Sequence, residues 1–70
     1  MKFYSKEDLS YKNIIVSEEG RPPEGIEVTE DLIKVYSSKK VFEIPVASMR
    51  GKAILDRLNY QGELTQEIYI

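Results

Sequence analysis

Two alternating segments joined by a polar loop constrain the fold of this chain more than any other feature. They run from Leu32 to Tyr36 and from Val41 to Val46, and residues 37–40 between them are two serines and two lysines. With Tyr36 paired to Val41, one face is entirely apolar and consists of Ile33, Val35, Phe42 and Ile44. The other face places a lysine opposite a glutamate, which is a favourable cross-strand pair. A shift of one residue would destroy both features, so the pattern predicts a β-hairpin from Leu32 to Val46.

An amphipathic helix is predicted after the hairpin, from Ala47 to Tyr60. Its apolar residues recur at the spacing of one helix face and are Ala47, Gly51, Ile54, Leu55 and Leu58. Glycine inside a helix costs about 1 kcal/mol relative to alanine. We therefore expect Gly51 to mark a close approach of the helix to the sheet.

Shorter elements are predicted on either side of these two. Ser5 with an acidic residue three positions later is a capping-box pattern, which predicts a short helix from Lys6 to Tyr11. Residues 13–17 and 26–28 have the β-branched or alternating character of strands. Residues 63–70 alternate again as a terminal strand, with Leu64, Ile68 and Ile70 on one face. The predicted fold class is α+β, a small and mostly antiparallel sheet with one amphipathic helix packed on it, then a C-terminal strand.

The composition excludes several kinds of chemistry. The chain has 70 residues, which we interpret as a single domain over residues 1–70, and it has no cysteine and no histidine. Disulfides and histidine-based nucleophilic catalysis are therefore excluded, and a zinc site is not expected. A core this small leaves little room for a substrate cleft. We expect a non-enzymatic protein with no catalytic residues, metal or cofactor.

The sequence also bears on the location of the protein. Acidic side chains within the first eight residues come too early for a signal peptide. The longest apolar run, residues 14–16, is far too short to span a membrane. We therefore expect a cytoplasmic protein without a membrane partner.

The outer face of the predicted helix is the leading candidate for a binding surface. Met49 and Ala53 lie opposite the apolar stripe, with Arg50 and Arg57 on one side and Lys52 on the other. Methionine adapts to irregular partner surfaces, and arginine is enriched at interfaces. The alternative is a solvated helix face with one exposed methionine. We predict a small regulatory or accessory protein that binds another protein through these five residues.

Self-association is a related prediction. A terminal strand at a sheet edge would leave backbone groups unpaired, which makes it a docking site for another strand. A homodimer through residues 64–70, or through the same helix face, would satisfy those groups.

Nucleic-acid binding is a second possible function. The basic residues that could contact phosphates are Lys39, Lys40, Arg50, Lys52 and Arg57, and Tyr36 or Tyr60 could stack on bases. The net charge of −2 and the pI of about 5.1 argue against it, because nucleic-acid binders usually have a basic excess.

Divalent-cation binding is a third possible function. Residues 18–31 contain six carboxylates, Glu18, Glu19, Glu24, Glu27, Glu30 and Asp31, against the single Arg21. Oxygen ligands of this kind suit calcium or magnesium. The aspartate spacing and the fixed glycine of an EF-hand loop are missing, so a solubilising acidic loop is the competing interpretation.

Overall fold

The computed structural model describes residues 2–69. Along this stretch the chain forms two helices and six strands: β1 (Lys2–Ser5), α1 (Lys6–Tyr11), β2 (Ile14–Val16), β3 (Gly25–Val28), β4 (Leu32–Tyr36), β5 (Val41–Pro45), α2 (Met49–Asn59) and β6 (Gln66–Ile68). Four strands make an antiparallel sheet in the order β1-β3-β4-β5. Strands β2 and β6 make a separate parallel pair. The predicted α+β class is confirmed.

The register of the β4–β5 hairpin is the one predicted. Tyr36 pairs with Val41, and Ile33 pairs with Ile44. Strand β5 is an edge strand of the sheet. The backbone nitrogen of Pro45, at the end of β5, lies on the outer edge, so its lack of an N–H removes no hydrogen bond to β4. The hydrophobic alternation is therefore sufficient to fix this hairpin.

The core lies between the inner face of the large sheet, the two helices and the small parallel pair. Its fully buried aliphatic side chains are Leu9, Ile14, Ile26, Ile33, Val35, Ile54, Leu58 and Ile68. No polar or charged residue between positions 2 and 69 is buried. Burying one aliphatic side chain of this size contributes about 1.5–3 kcal/mol to the free energy of folding, so apolar packing holds the two sheets together. Neither helix in the described chain is long and apolar enough to cross a membrane.

Helix α2 is shorter than predicted at both ends. It begins at Met49, because the Ser48 hydroxyl accepts the Gly51 N–H at 3.0 Å and donates to the Pro45 carbonyl at 2.7 Å. Ala47 is exposed and lies before the helix, so its place in the predicted apolar stripe was wrong. The helix ends at Asn59.

Gly51 is where α2 approaches another part of the backbone. A Cβ atom there would lie 2.9 Å from the Val46 carbonyl oxygen and closer still to that of Pro45. The predicted close approach is confirmed. Its partner is the backbone that leaves β5.

The first strand, β1, was not predicted. It runs directly into α1 without a turn, and Tyr4 pairs with Ile26 in β3. Ser5 ends the strand and also caps the helix, since its hydroxyl accepts the Asp8 N–H at 3.2 Å and the Asp8 carboxylate accepts the Ser5 N–H at 3.3 Å. The predicted helix from Lys6 to Tyr11 is confirmed with its capping box. The helix signal begins at Ser5 and leaves too few residues before it for an alternation to be recognised.

The terminal strand, β6, is also shorter than predicted. The first bond to the β2 side runs from the Gln66 N–H to the Asn13 carbonyl at 2.7 Å. Leu64 precedes that bond and is 71% exposed, so the expectation that it shares a buried face with Ile68 was wrong. Ile70, the last residue of the predicted strand, lies outside the described residues.

Candidate functional site

A groove of about 610 Å³ lies between α2, the end of β5 and β6. Three buried isoleucines, one from each element, line it: Ile44, Ile54 and Ile68. The other lining residues are Glu43, Pro45, Ser48, Met49, Arg50, Ala53, Arg57 and Tyr69. The site therefore combines apolar core side chains with basic, aromatic and, at Glu43, acidic side chains around them.

The structure brings four of the five predicted site residues to this groove. Met49, Arg50, Ala53 and Arg57 line it, while Lys52 is exposed on α2 and does not. Met49 is 89% exposed. Ala53 is half-buried beside Ile54, and its short side chain leaves the groove open at that point.

Arg57 is held in place by backbone carbonyl groups. Its Nε donates to the Glu67 carbonyl at 2.8 Å, and its Nη1 donates to the Ala53 carbonyl at 3.1 Å. Across residues 2–69, the ion pairs are Lys6–Glu24 and Arg21–Glu19. The Arg57 guanidinium is therefore oriented by neutral acceptors, and its charge has no carboxylate partner within the described chain.

The residues proposed for nucleic-acid binding do not form one surface. Lys39 and Lys40 lie in the loop before β5, whereas α2 follows the other end of that strand. The Lys40 ammonium lies 5.0 Å from the centre of the Phe42 ring. Tyr36 is on the sheet face opposite the core and donates to Glu27 at 3.2 Å. Tyr60 lines a second cavity, of about 410 Å³, beside the end of α1.

The acidic stretch is dispersed as well. Glu24 pairs with Lys6 at 3.4 Å, and Glu19 lies 3.7 Å from Arg21. Within the part of the chain that the structure describes, no three acidic side chains lie together as a metal site would need. The geometry gives no support to a cation at these residues.

Sequence reasoning missed the groove residues outside α2. Ile44, Ile68 and Tyr69 come from segments that meet only because β6 pairs in parallel with β2. Alternation predicts each strand but carries no information about a partner fifty residues away. The outer face of α2, with Met49, Arg50, Ala53 and Arg57, was therefore the part of the site that a local pattern could reveal.

Comparison with family models, with curated proteins and with solved structures finds no match to this chain. The interpretation of the groove therefore depends on its geometry and chemistry alone.

Proposed function

We propose that this chain is a non-enzymatic binding module that holds a partner protein in the groove beside α2. The observation that supports this most directly is the position of three buried isoleucines at the surface of one groove, next to an almost fully exposed methionine. The isoleucines form an apolar floor that is already buried, so the apolar surface that a partner would remove from water belongs to Met49 and Tyr69, which are 89% and 59% exposed.

The composition of the groove also fits a protein partner. Arg50, Arg57 and Tyr69 stand around the apolar residues, and arginine and tyrosine are among the residues that dominate protein interfaces. Met49 adds a flexible apolar side chain that can follow the contour of a partner. A regulatory or accessory role, a cytoplasmic location and the formation of a homodimer stay predictions.

The first experiment is site-specific photo-crosslinking in cells of the source organism. One variant carries a photoreactive amino acid in place of Met49. A second variant carries it in place of Tyr11, which is 90% exposed and lies on α1. We expect a discrete protein adduct from position 49 only. Ala53→Arg in the position-49 variant fills the groove and should abolish the adduct.

The matched control is Lys39→Gln, which removes a cation from the hairpin loop without touching the groove. It should leave the adduct at position 49 unchanged. Equal adducts from positions 11 and 49, or an adduct that survives Ala53→Arg, would contradict the proposal. An adduct with nucleic acid that Lys39→Gln removes would favour the nucleic-acid function instead.

A further inference from the structure

The edge of β5 that faces away from β4 has backbone groups available for another strand. The Val46 N–H donates to the Asp31 carbonyl at 2.9 Å, and bonded and non-bonded residues alternate along an antiparallel pair. The N–H and C=O groups of Val41 and Glu43 therefore point away from the sheet. Since β5 is the last strand of the sheet order, these groups can pair with an added strand.

The edge of β6 that faces away from β2 borders the same groove. Gln66 and Ile68 make the bonds toward β2, through the Gln66 N–H to the Asn13 carbonyl and the Ser17 N–H to the Ile68 carbonyl. Glu67 lies between them, so its backbone groups point the other way. Its carbonyl accepts from Arg57, which lines the groove. The β5 edge is therefore free, whereas the outward carbonyl of β6 is already bonded to Arg57, and both edges border one space.

We propose that the occupant of the groove is an extended, acidic segment of a partner protein, which adds as a strand beside β5 and places a carboxylate on Arg57. This proposal rests on the proposed function and specifies the chemistry of the partner. An added strand at the β5 edge would direct alternate side chains toward Ile44 and Ile54. Its remaining side chains would face away from the core.

The groove is lined by two arginines against one carboxylate, Glu43, so its charge favours an acidic partner. Arg50 and Arg57 are seven residues apart on α2, which places them on the same helix face. The Arg57 guanidinium is already oriented by two carbonyls and has no carboxylate partner in the described chain. The fork of an arginine matches a carboxylate in two parallel hydrogen bonds. A partner carboxylate would therefore bind an oriented cation.

A second copy of this chain fits the groove less well. A symmetric dimer uses the same surface on both copies, so it would bring Arg50 and Arg57 of one copy against those of the other. Antiparallel pairing of two β5 edges in register around Glu43 would also place two carboxylates opposite each other, which is destabilising. A different, acidic chain avoids both contacts.

The experiment begins with the selection of peptides from a random display library on the wild-type protein. Counter-selection uses Arg50→Glu/Arg57→Glu, so that only peptides that need the two cations are kept. We expect the enriched sequences to alternate apolar residues with aspartate or glutamate. The strongest peptide then serves as the probe in all later measurements.

Two pairs of variants separate charge recognition from strand pairing. Arg57→Gln should weaken binding of the probe by about tenfold, the loss expected for a hydrogen bond to a charged group, while Lys39→Gln leaves it unchanged. Glu43→Pro removes an outward N–H from β5 and should abolish binding, whereas Glu43→Gln keeps that N–H and should not. Circular dichroism of each variant reports whether it is folded.

Amide hydrogen exchange on the wild-type protein gives an answer that needs no variant. Addition of the probe should slow exchange at Val41 and Glu43, because their N–H groups become hydrogen-bonded. Enriched peptides that bind as helices, that lack acidic residues or that leave these two amides unprotected would overturn the strand proposal. A failure to enrich any peptide would also overturn it. Protection of the Val41 amide that rises with protein concentration in the absence of the probe would overturn it too, because it would identify a second copy as the occupant. The photo-crosslinked adduct at position 49 does not depend on whether the partner binds as a strand. The proposed function is therefore tested separately.

Discussion

At the scale of single residues, the start of α2 depends on an absent side chain. Gly51 sits on the inner face of the helix, in the first turn, against the carbonyl groups of Pro45 and Val46. These neighbours are backbone atoms that leave an edge strand, so they cannot rotate aside as a side chain could. Glycine here allows β5 and α2 to be joined by only three residues while Ile54 still reaches the core.

Gly51→Ala should therefore destabilise the protein although alanine is the better helix former. The added methyl group overlaps backbone, and overpacking of this kind costs about 1–3 kcal/mol, against a gain of about 1 kcal/mol in helix propensity. We expect a lower urea midpoint with an unchanged slope. Lys52→Ala, the next position on the exposed side of the helix, is the control and should stay close to wild type. A more stable Gly51→Ala variant would show that the approach is not tight.

At the scale of elements, local signals fix some boundaries and miss others. The hairpin register and the capping box of α1 were predicted because each involves residues close in sequence. Ala47 and Ser48 were wrongly assigned to the helix, because apolar spacing carries no information about the Ser48 hydroxyl, which accepts the Gly51 N–H and so sets the helix start. Strand β1 was missed because it has only four residues and its partner, β3, lies beyond α1 and β2.

Ser48→Ala tests the importance of that cap. The change removes an acceptor for the Gly51 N–H and a donor to the Pro45 carbonyl, and loss of a serine cap costs about 0.5–2 kcal/mol. The loss of stability is measured by urea unfolding, with circular dichroism as the signal.

Ser10→Ala is the matched control for the cap, because Ser10 is an exposed serine on α1. It should leave stability unchanged or raise it slightly, since alanine is the better helix former. Equal effects of the two substitutions would show that Ser48 does not set the start of α2.

At the scale of the whole molecule, the groove exists because two sheets meet over one helix. The α+β class could be predicted from the order of the elements, but the parallel pairing of β2 with β6 could not. That pairing brings Ile68 beside Ile54 and Ile44. The helix side of the candidate site was therefore predictable, whereas the side formed by β6 depends on the tertiary structure.

Ile68→Val measures how strongly β6 is held in this arrangement. Ile68 is buried, and removal of one methylene group from a core costs about 0.5–1.5 kcal/mol. Leu64→Ala removes more apolar atoms from an exposed position of the same segment and should change stability less. The order of the two unfolding free energies is the test, and a larger loss for Leu64→Ala would contradict the buried position of β6.

The parallel pairing of β2 and β6 also predicts an order in which the chain folds. Ser17 and Glu67, which bond across this pair, are fifty residues apart, whereas the hairpin closes a short loop. The entropy of loop closure grows with the logarithm of loop length, so the hairpin is expected to form early and β6 to dock late. The groove is then complete only in the last step of folding. A partner that binds it should slow unfolding and leave the refolding rate unchanged.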